Sequence, residues 1–283
     1  MTDTDPYTIR SMTADELALA IDWAAAEGWN PGLADAACFR AADPDGFLVG
    51  LLDDRPVASI SVVAYGDAFG FLGFYIVHPD FRGRGLGWRI WQAGMARLGT
   101  RTVGLDGVVA QQDNYAKSGF ALAHRNVRYG GTVAVDTPPD GLVAVAEEDV
   151  ERVVTYDRAF FPARREAFLR CWLMPERRAA LLASGADGAV AGYGVIRQCR
   201  DGYKIGPLFA DAPEIAERLF LGLAAQAKGA PVFLDPPQPN AAAVAMAERF
   251  GMTPVFETAR MYKGRALDLP LDRIYGITTF ELG

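Results

Sequence analysis

Hydrophobic positions in the first third of the chain follow two periods in turn, and each changeover marks an element. Tyr7-Thr8-Ile9-Arg10 alternates as a short strand does. Thr13 and Glu16 then stand three apart, ahead of Leu17, Leu19, Ile21 and Trp23. This is the pattern of a capping box opening a helix, which stops near Gly28. A second short helix is predicted over 33–39, after Pro31. Three apolar runs follow at 47–52, 57–65 and 69–77, divided by Asp53-Asp54 and Gly66-Asp67, and they read as an antiparallel meander. Trp88, Trp91, Met95 and Leu98 fall at i, i+3, i+7 and i+10, one apolar face of a helix. A strand over 102–105, a short helix opening at Asn114 and closing strands over 121–135 complete this part.

From Val143 the plan repeats. A strand is predicted over 143–145, a helix over 148–160 and one or two more helices over 165–182. Asp187-Gly188 is a hairpin turn, and a strand over 203–209 ends where Asp211-Ala212-Pro213 opens a helix; another strand covers 231–235. Each half has a strand ending in Leu-Asp (Leu105-Asp106, Leu234-Asp235) and then an Asn that opens a helix (Asn114, Asn240). That helix ends in Gly before a large apolar residue (Gly119-Phe120, Gly251-Met252). Such matched landmarks point to an internal duplication. Residues 136–141, Asp-Thr-Pro-Pro-Asp-Gly, are the natural linker, dividing the chain into domains 1–135 and 136–283.

Composition narrows the class. The 283 residues are enough for two domains at about 150 residues each. A net charge of −7 and a pI near 5.0 argue against a nucleic-acid partner, which needs a basic face. No apolar run reaches the ~18 residues that span a bilayer, and Met1-Thr2-Asp3-Thr4-Asp5 is acidic rather than signal-like, so a cytoplasmic location is expected. Cys38, Cys171 and Cys199 are odd in number and widely spread. They read as small buried hydrophobes in a reducing compartment, forming neither a disulfide frame nor a metal site.

The chemistry concentrates in residues 74–88. An apolar strand ends at His78-Pro79, an arginine- and glycine-rich turn follows, and a helix opens at once. A helix start presents unpaired backbone N–H groups at the positive end of its dipole, and glycines let an anion approach them. The turn is therefore suited to a phosphate or pyrophosphate, with Arg82 and Arg84 at its rim. No Lys followed by Ser or Thr comes after Gly87, which excludes a Walker loop. The position three after Gly85 is Trp88, which excludes a dinucleotide fingerprint.

The spacing that fits is R-x-x-G-x-G, read as Arg82, Gly85 and Gly87, and it resembles the coenzyme A loop of the GNAT superfamily of acyl-CoA-dependent acyltransferases. A second segment, Asn114-Tyr115-Ala116-Lys117-Ser118-Gly119-Phe120, is similar to the family's Tyr-x-Lys-x-Gly-Phe segment. The resemblance implies an α/β (α+β) class, here tandem GNAT folds, each a central mixed, mostly antiparallel sheet flanked by helices. It implies acetyl-CoA as co-substrate with no metal, and a small-molecule amine as acceptor, with neither a nucleic-acid nor a membrane partner. It assigns the cofactor to Arg82, Gly83, Arg84, Gly85, Leu86, Gly87 and Trp88, to the backbone of Ile76 and Val77, and to Asn114 and Lys117. Tyr115 becomes the general acid for the departing thiolate.

The base is not apparent. Many members carry a glutamate on the strand before the loop, yet residues 69–77 contain no acid. Asp106 and Glu27 are the candidates, and His78 reads as structural. The second half has Asp211-Ala212-Pro213-Glu214 where the first has its glycine turn, and Ala247 ahead of Glu248-Arg249-Phe250-Gly251, so it offers neither phosphate loop nor tyrosine. The expected activity is direct acyl transfer to the amine; the alternative is a non-catalytic acyl-CoA-binding sensor.

Overall fold

The predicted meander forms, and the rest of the sheet grows from its edge. The computed structural model describes residues 6–283 apart from 175, 177 and 266; the acidic residues 1–5 lie outside the described residues. In chain order the first half comprises β1 (Tyr7–Ser11), α1 (Ala14–Ala26), α2 (Asp35–Ala42), β2 (Phe47–Leu52), β3 (Arg55–Tyr65), β4 (Phe69–Val77), α3 (Leu86–Leu98), β5 (Thr102–Val108), α4 (Gln112–Lys117) and β6 (Ala121–Gly131). The second comprises β7 (Leu142–Ala144), α5 (Val150–Asp157), α6 (Glu166–Trp172), β8 (Arg178–Ser184), β9 (Val190–Gln198), β10 (Tyr203–Ala210), α7 (Pro213–Ala224), β11 (Val232–Leu234), α8 (Ala241–Arg249), β12 (Thr253–Lys263) and β13 (Ile274–Gly276). At the start of α1 the capping box closes: Glu16 N–H donates to Thr13 Oγ1 at 3.2 Å and Thr13 N–H to the Glu16 carboxylate at 2.8 Å.

The strands form one sheet in the order β1-β2-β3-β4-β5-β12-β6-β11-β10-β9-β8-β7, with β13 attached to β10. Neighbours run antiparallel except β4 with β5 and β10 with β11. The halves exchange strands. β12 lies between β5 and β6, and β6 in turn pairs with β11. The 136–141 linker thus separates the halves in sequence, while in the sheet each half is finished by a strand of the other. Both faces are covered. α3 packs Ile90, Trp91 and Leu98 against Ile60, Val62 and Leu105 on one side. On the other, a single core runs from Leu17 and Ile21 through Phe39 to Phe168 and Trp172, joining α1 and α2 to α5 and α6. A further core lies beneath α7 and α8.

Three sequence expectations are corrected. Residues 165–182 are not all helix: α6 ends at Trp172, and Arg178–Ser184 is β8, paired along its length with β9. The run Ala-Ala-Leu-Leu-Ala suits either period, and pairing to a long neighbour decides it. Asn114 does not open α4 but sits inside it, whereas Asn240 does cap α8, its side chain accepting from Ala243 N–H at 3.0 Å. Finally, Cys38 and Cys171 form a disulfide between α2 and α6, leaving Cys199 as the buried free thiol. The two cysteines are 133 residues apart in sequence, and only the docking of α2 on α6 brings them together.

Charged pairs are buried at the seam between the halves. Arg128 on β6 grips Asp235 with two bonds of 2.7 and 2.8 Å. Arg197 on β9 reaches Asp35 on α2 at 3.1 Å. Lys204 on β10 donates to the carbonyl of Asn30 at 2.9 Å, fixing the loop after α1 onto the second half. Burial lowers the lysine's pKa, aided by Arg128.

Candidate active site

β4 and β5 pair only over Phe69–Leu72 and Thr102–Leu105, then diverge. At the divergence β4 bulges: its register with β3 shifts between Ser59 and Ser61, Phe74 takes φ of 45°, and Ser59 Oγ donates to Phe74 O at 2.8 Å. A phenylalanine in the left-handed region is strained, and the strain coincides with the opening. The freed edge of β4 looks onto a cleft of about 600 Å³, which is also lined by β5, the turn before α3, Tyr115 and residues of the second half.

The turn has the geometry its glycines imply. Gly83 and Gly85 have φ of 75° and 76°, and a Cβ at either would meet nothing within 4 Å. The left-handed backbone, rather than crowding, demands glycine there, and the space beside it is open. Gly85 is the N-cap of α3; no side chain caps the helix, and its first turn holds no acid. The first helical bond runs from Arg89 N–H to Gly85 O. The N–H groups of Leu86, Gly87 and Trp88 therefore face outward at the positive end of the dipole, which fits a diphosphate. Gly87 lets α3 settle on β4, since a Cβ would come 2.9 Å from Val77 Cγ2 and 3.0 Å from the Tyr75 hydroxyl.

Most expected cofactor contacts line the cleft: Ile76, Val77, Arg82, Gly83, Gly85, Leu86, Gly87 and Trp88. Arg82 is already engaged, Nε donating to Val77 O at 2.9 Å and the guanidinium pairing with Glu27. Arg84 stacks over Phe81 at 5.4 Å and is not among the lining residues. Asn114 and Lys117 lie on the exposed side of α4, bonded to Gln111 and to each other, also off the cleft. Gln111 and Tyr75, which the sequence did not single out, do line it.

Tyr115 is buried, with its ring stacked on Trp91 at 5.8 Å. Gly107 makes room for it: a Cβ there would lie 2.2 Å from the tyrosine ring. Burial, and secondarily the nearby Tyr75, push the Tyr115 hydroxyl up to about 12, so it is a proton donor throughout the neutral range.

The two base candidates part company. Asp106 has no exposed side-chain surface; Arg260 of β12 holds both its oxygens at 2.8 and 2.6 Å, and Asn126 adds a bond of 2.8 Å. Burial pushes its carboxyl up, against the pull of Arg260. Glu27 lines the cleft but is paired with Arg82. His78 packs against Trp23 and Phe81, and burial with Arg260 nearby lowers the His124 imidazole to about 4. Four lining residues come from the second half: Phe256 and Thr258 of β12, and Phe280 and Glu281. No local motif marks them, because they reach the first half's cleft only through the strand exchange.

A sheet whose parallel strands splay beside an uncapped, glycine-lined helix start defines an acyltransferase fold with an anion cradle. Family profiles agree: "Acetyltransferase (GNAT) family" matches residues 14–120, and "Acetyltransferase (GNAT) domain" matches 153–276. The chain belongs to the GNAT superfamily, as a tandem of two such units. It is similar to holothin acyltransferase of Pseudoalteromonas sp. (strain SANK 73390), 33% identical over 100% of this chain and 97% of that protein. In fold it matches a Pyrococcus horikoshii protein solved as a candidate acetyltransferase, with a TM-score of 0.84, 24% identity and coverage of 100% and 98%. A tandem GNAT protein from the clavulanic acid biosynthesis pathway matches with a TM-score of 0.61, 16% identity and coverage of 92% and 100%.

Proposed function

We propose that this protein transfers an acetyl group from acetyl-CoA to the amine of a small molecule, by direct attack and only at the cleft of the first half. The observation that carries this reading is that the glycine turn at the start of α3 and Tyr115 line one cleft. The N–H groups of Leu86, Gly87 and Trp88 would hold the diphosphate, and the free edge of β4 at Ile76 and Val77 would pair with the pantetheine arm. Coenzyme A supplies a thioester, whose sulfur departs more readily when protonated. Tyr115, kept neutral by burial, would give that proton. The small-molecule acceptor is supported by likeness to a protein named for acylating one, holothin. Domains 1–135 and 136–283 would then divide the work, the first binding the cofactor and the second shaping the acceptor side.

Titration calorimetry with acetyl-CoA, followed by thiol release in the presence of an amine panel, tests the reading. Micromolar binding with turnover that Tyr115→Phe reduces on the order of 100-fold supports it. Tight binding without turnover on any amine would make the protein an acyl-CoA sensor, and no binding would remove the cradle assignment.

A further inference from the structure

Three carboxylates line the cleft, Glu27, Asp106 and Glu281, and their partners set them apart. Asp106 is locked by Arg260 and Asn126, and Glu27 is paired with Arg82. The Glu281 carboxylate, on a residue only 4% exposed, has no hydrogen-bond partner among the described residues. Beside it in the lining, Thr258 is 2% exposed and its Oγ1 is likewise unpartnered. A buried hydroxyl without a partner costs about 1–3 kcal/mol. The unpartnered Thr258 hydroxyl and a carboxylate with no hydrogen bond, both on residues of the cleft lining, mark the position of a polar ligand atom.

The fold goes to some length to put Glu281 there. After β13 the chain turns back across the first half's sheet, anchored by Ile277 N–H to Asp235 O at 3.0 Å, Arg165 to Thr278 Oγ1 at 3.0 Å and the Tyr65 hydroxyl to Leu282 O at 3.1 Å. Thr279 Oγ1 accepts from the N–H groups of Glu281 and Leu282, at 3.2 and 2.9 Å. Gly73 admits the segment to the β4 bulge, since a Cβ there would lie 2.4 Å from Glu281 O. Phe280 and Leu282 pack in the core on the α1 and α2 face, whereas Tyr115 packs in the core beneath α3. Glu281 and Tyr115 therefore approach the opening between β4 and β5 from opposite faces. The nearby guanidiniums, Arg128 and Arg197, are hydrogen-bonded to Asp235 and Asp35, and neither is bonded to the Glu281 carboxylate.

We propose that Glu281, contributed by the second half, is the base that takes the proton from the attacking amine, with Thr258 hydrogen-bonding the same acceptor. This assignment rests on the acyl-transfer reading above. The amine nitrogen forms a bond to the thioester carbonyl carbon and the carbon–sulfur bond breaks. The surplus N–H proton passes to Glu281, and the sulfur takes the Tyr115 hydroxyl proton. Exchange with water returns both side chains to their starting states. Glu281 thus does the work of the acid that β4 lacks.

The test compares wild type, Glu281→Gln, Glu281→Asp and Thr258→Val in the full-length protein. Calorimetry reads coenzyme A affinity, and 2-phenylethylamine, chosen for the aromatic walls at Trp29, Phe256 and Phe280, is the acceptor probe. Thiol release from acetyl-CoA is followed with that amine and with water alone, so that a rate exists whatever the natural acceptor. Glu281→Gln should keep coenzyme A affinity within about twofold, lower the rate about 100-fold or more, and weaken 2-phenylethylamine binding about tenfold, with Glu281→Asp intermediate. Retained coenzyme A affinity shows that the variant is folded. Wild-type rate and amine affinity in Glu281→Gln would overturn the role of Glu281 alone. A wild-type protein that fails to bind coenzyme A would overturn the acyl-transfer reading and this assignment with it.

Discussion

Each half contains a parallel strand pair that diverges, yet only one divergence is open. In the first, β4 and β5 part after Leu72 and Leu105 and leave the cleft. In the second, β10 and β11 pair over Tyr203–Ile205 and Val232–Leu234, and β10 then shifts register against β9 just as β4 does against β3. There the three-residue strand β13 fills the gap, setting Leu208 opposite Gly276 and Phe209 opposite Ile274. The helix beyond also differs. α7 opens with Pro213, which has no N–H, and with Glu214 in its first turn, while Asp211 just ahead is tied to Tyr156 and Arg273. The tandem units share a frame, and one short strand and the charges of one turn set the two openings apart. The same stretch of chain that closes the second cleft continues as the segment carrying Glu281 into the first.

The largest expected effect is at the seam that joins the copies. Arg128→Met strands Asp235 as a buried unpaired charge, which costs about 3–5 kcal/mol. Because the halves share strands, urea unfolding should remain one transition at lower midpoint; two separable transitions would mean that the halves are independent. Next is the cradle. Gly85→Glu sets bulk, an unfavourable φ and a negative charge at the α3 start, and coenzyme A affinity measured by calorimetry should fall on the order of 100-fold. The reciprocal change, Glu214→Gly, should give the second half no affinity at all, because β13 still fills its gap; binding of a second equivalent would break the comparison.

Gly107→Ala should displace the Tyr115 ring, lowering the rate about tenfold or more while leaving coenzyme A affinity near wild type. With the Tyr115 hydroxyl at about 12, its acid form is lost only as pH rises toward 12. The rate should therefore show no tyrosine-dependent decline between pH 7 and 10, and a decline there that Tyr115→Phe removes would contradict the assignment. The smallest effect concerns stability in acid. His124 is held near 4 in the fold against about 6.5 in the unfolded chain. Between those values the unfolded chain binds more protons, so stability falls as pH falls, by about 1 kcal/mol per pH unit. Chemical denaturation of His124→Gln at pH 4.5 and 7 should show a flatter dependence than wild type.

Much of this was legible in one dimension because it is local. The capping box at Thr13 and Glu16, the glycine turn at 83–87 with its helix, and the acidic, proline-led helix start at Asp211–Glu214 depend on residues within a turn of each other, so spacing alone encodes them. The duplication could be read from matched landmarks, even though the helix and strand assignments over 165–182 erred where an Ala-Leu run suits both periods. What only the tertiary structure decided is everything that pairing across long separations creates. The β6 and β12 exchange, the Cys38–Cys171 bond, the burial of Asp106 under Arg260 and the arrival of Thr258 and Glu281 in the cleft each join residues more than 100 positions apart. Hydrophobic period determines which face of an element is buried, but several strands of like pattern can satisfy one sheet edge. Which of them does so is settled by the global packing of the folded chain.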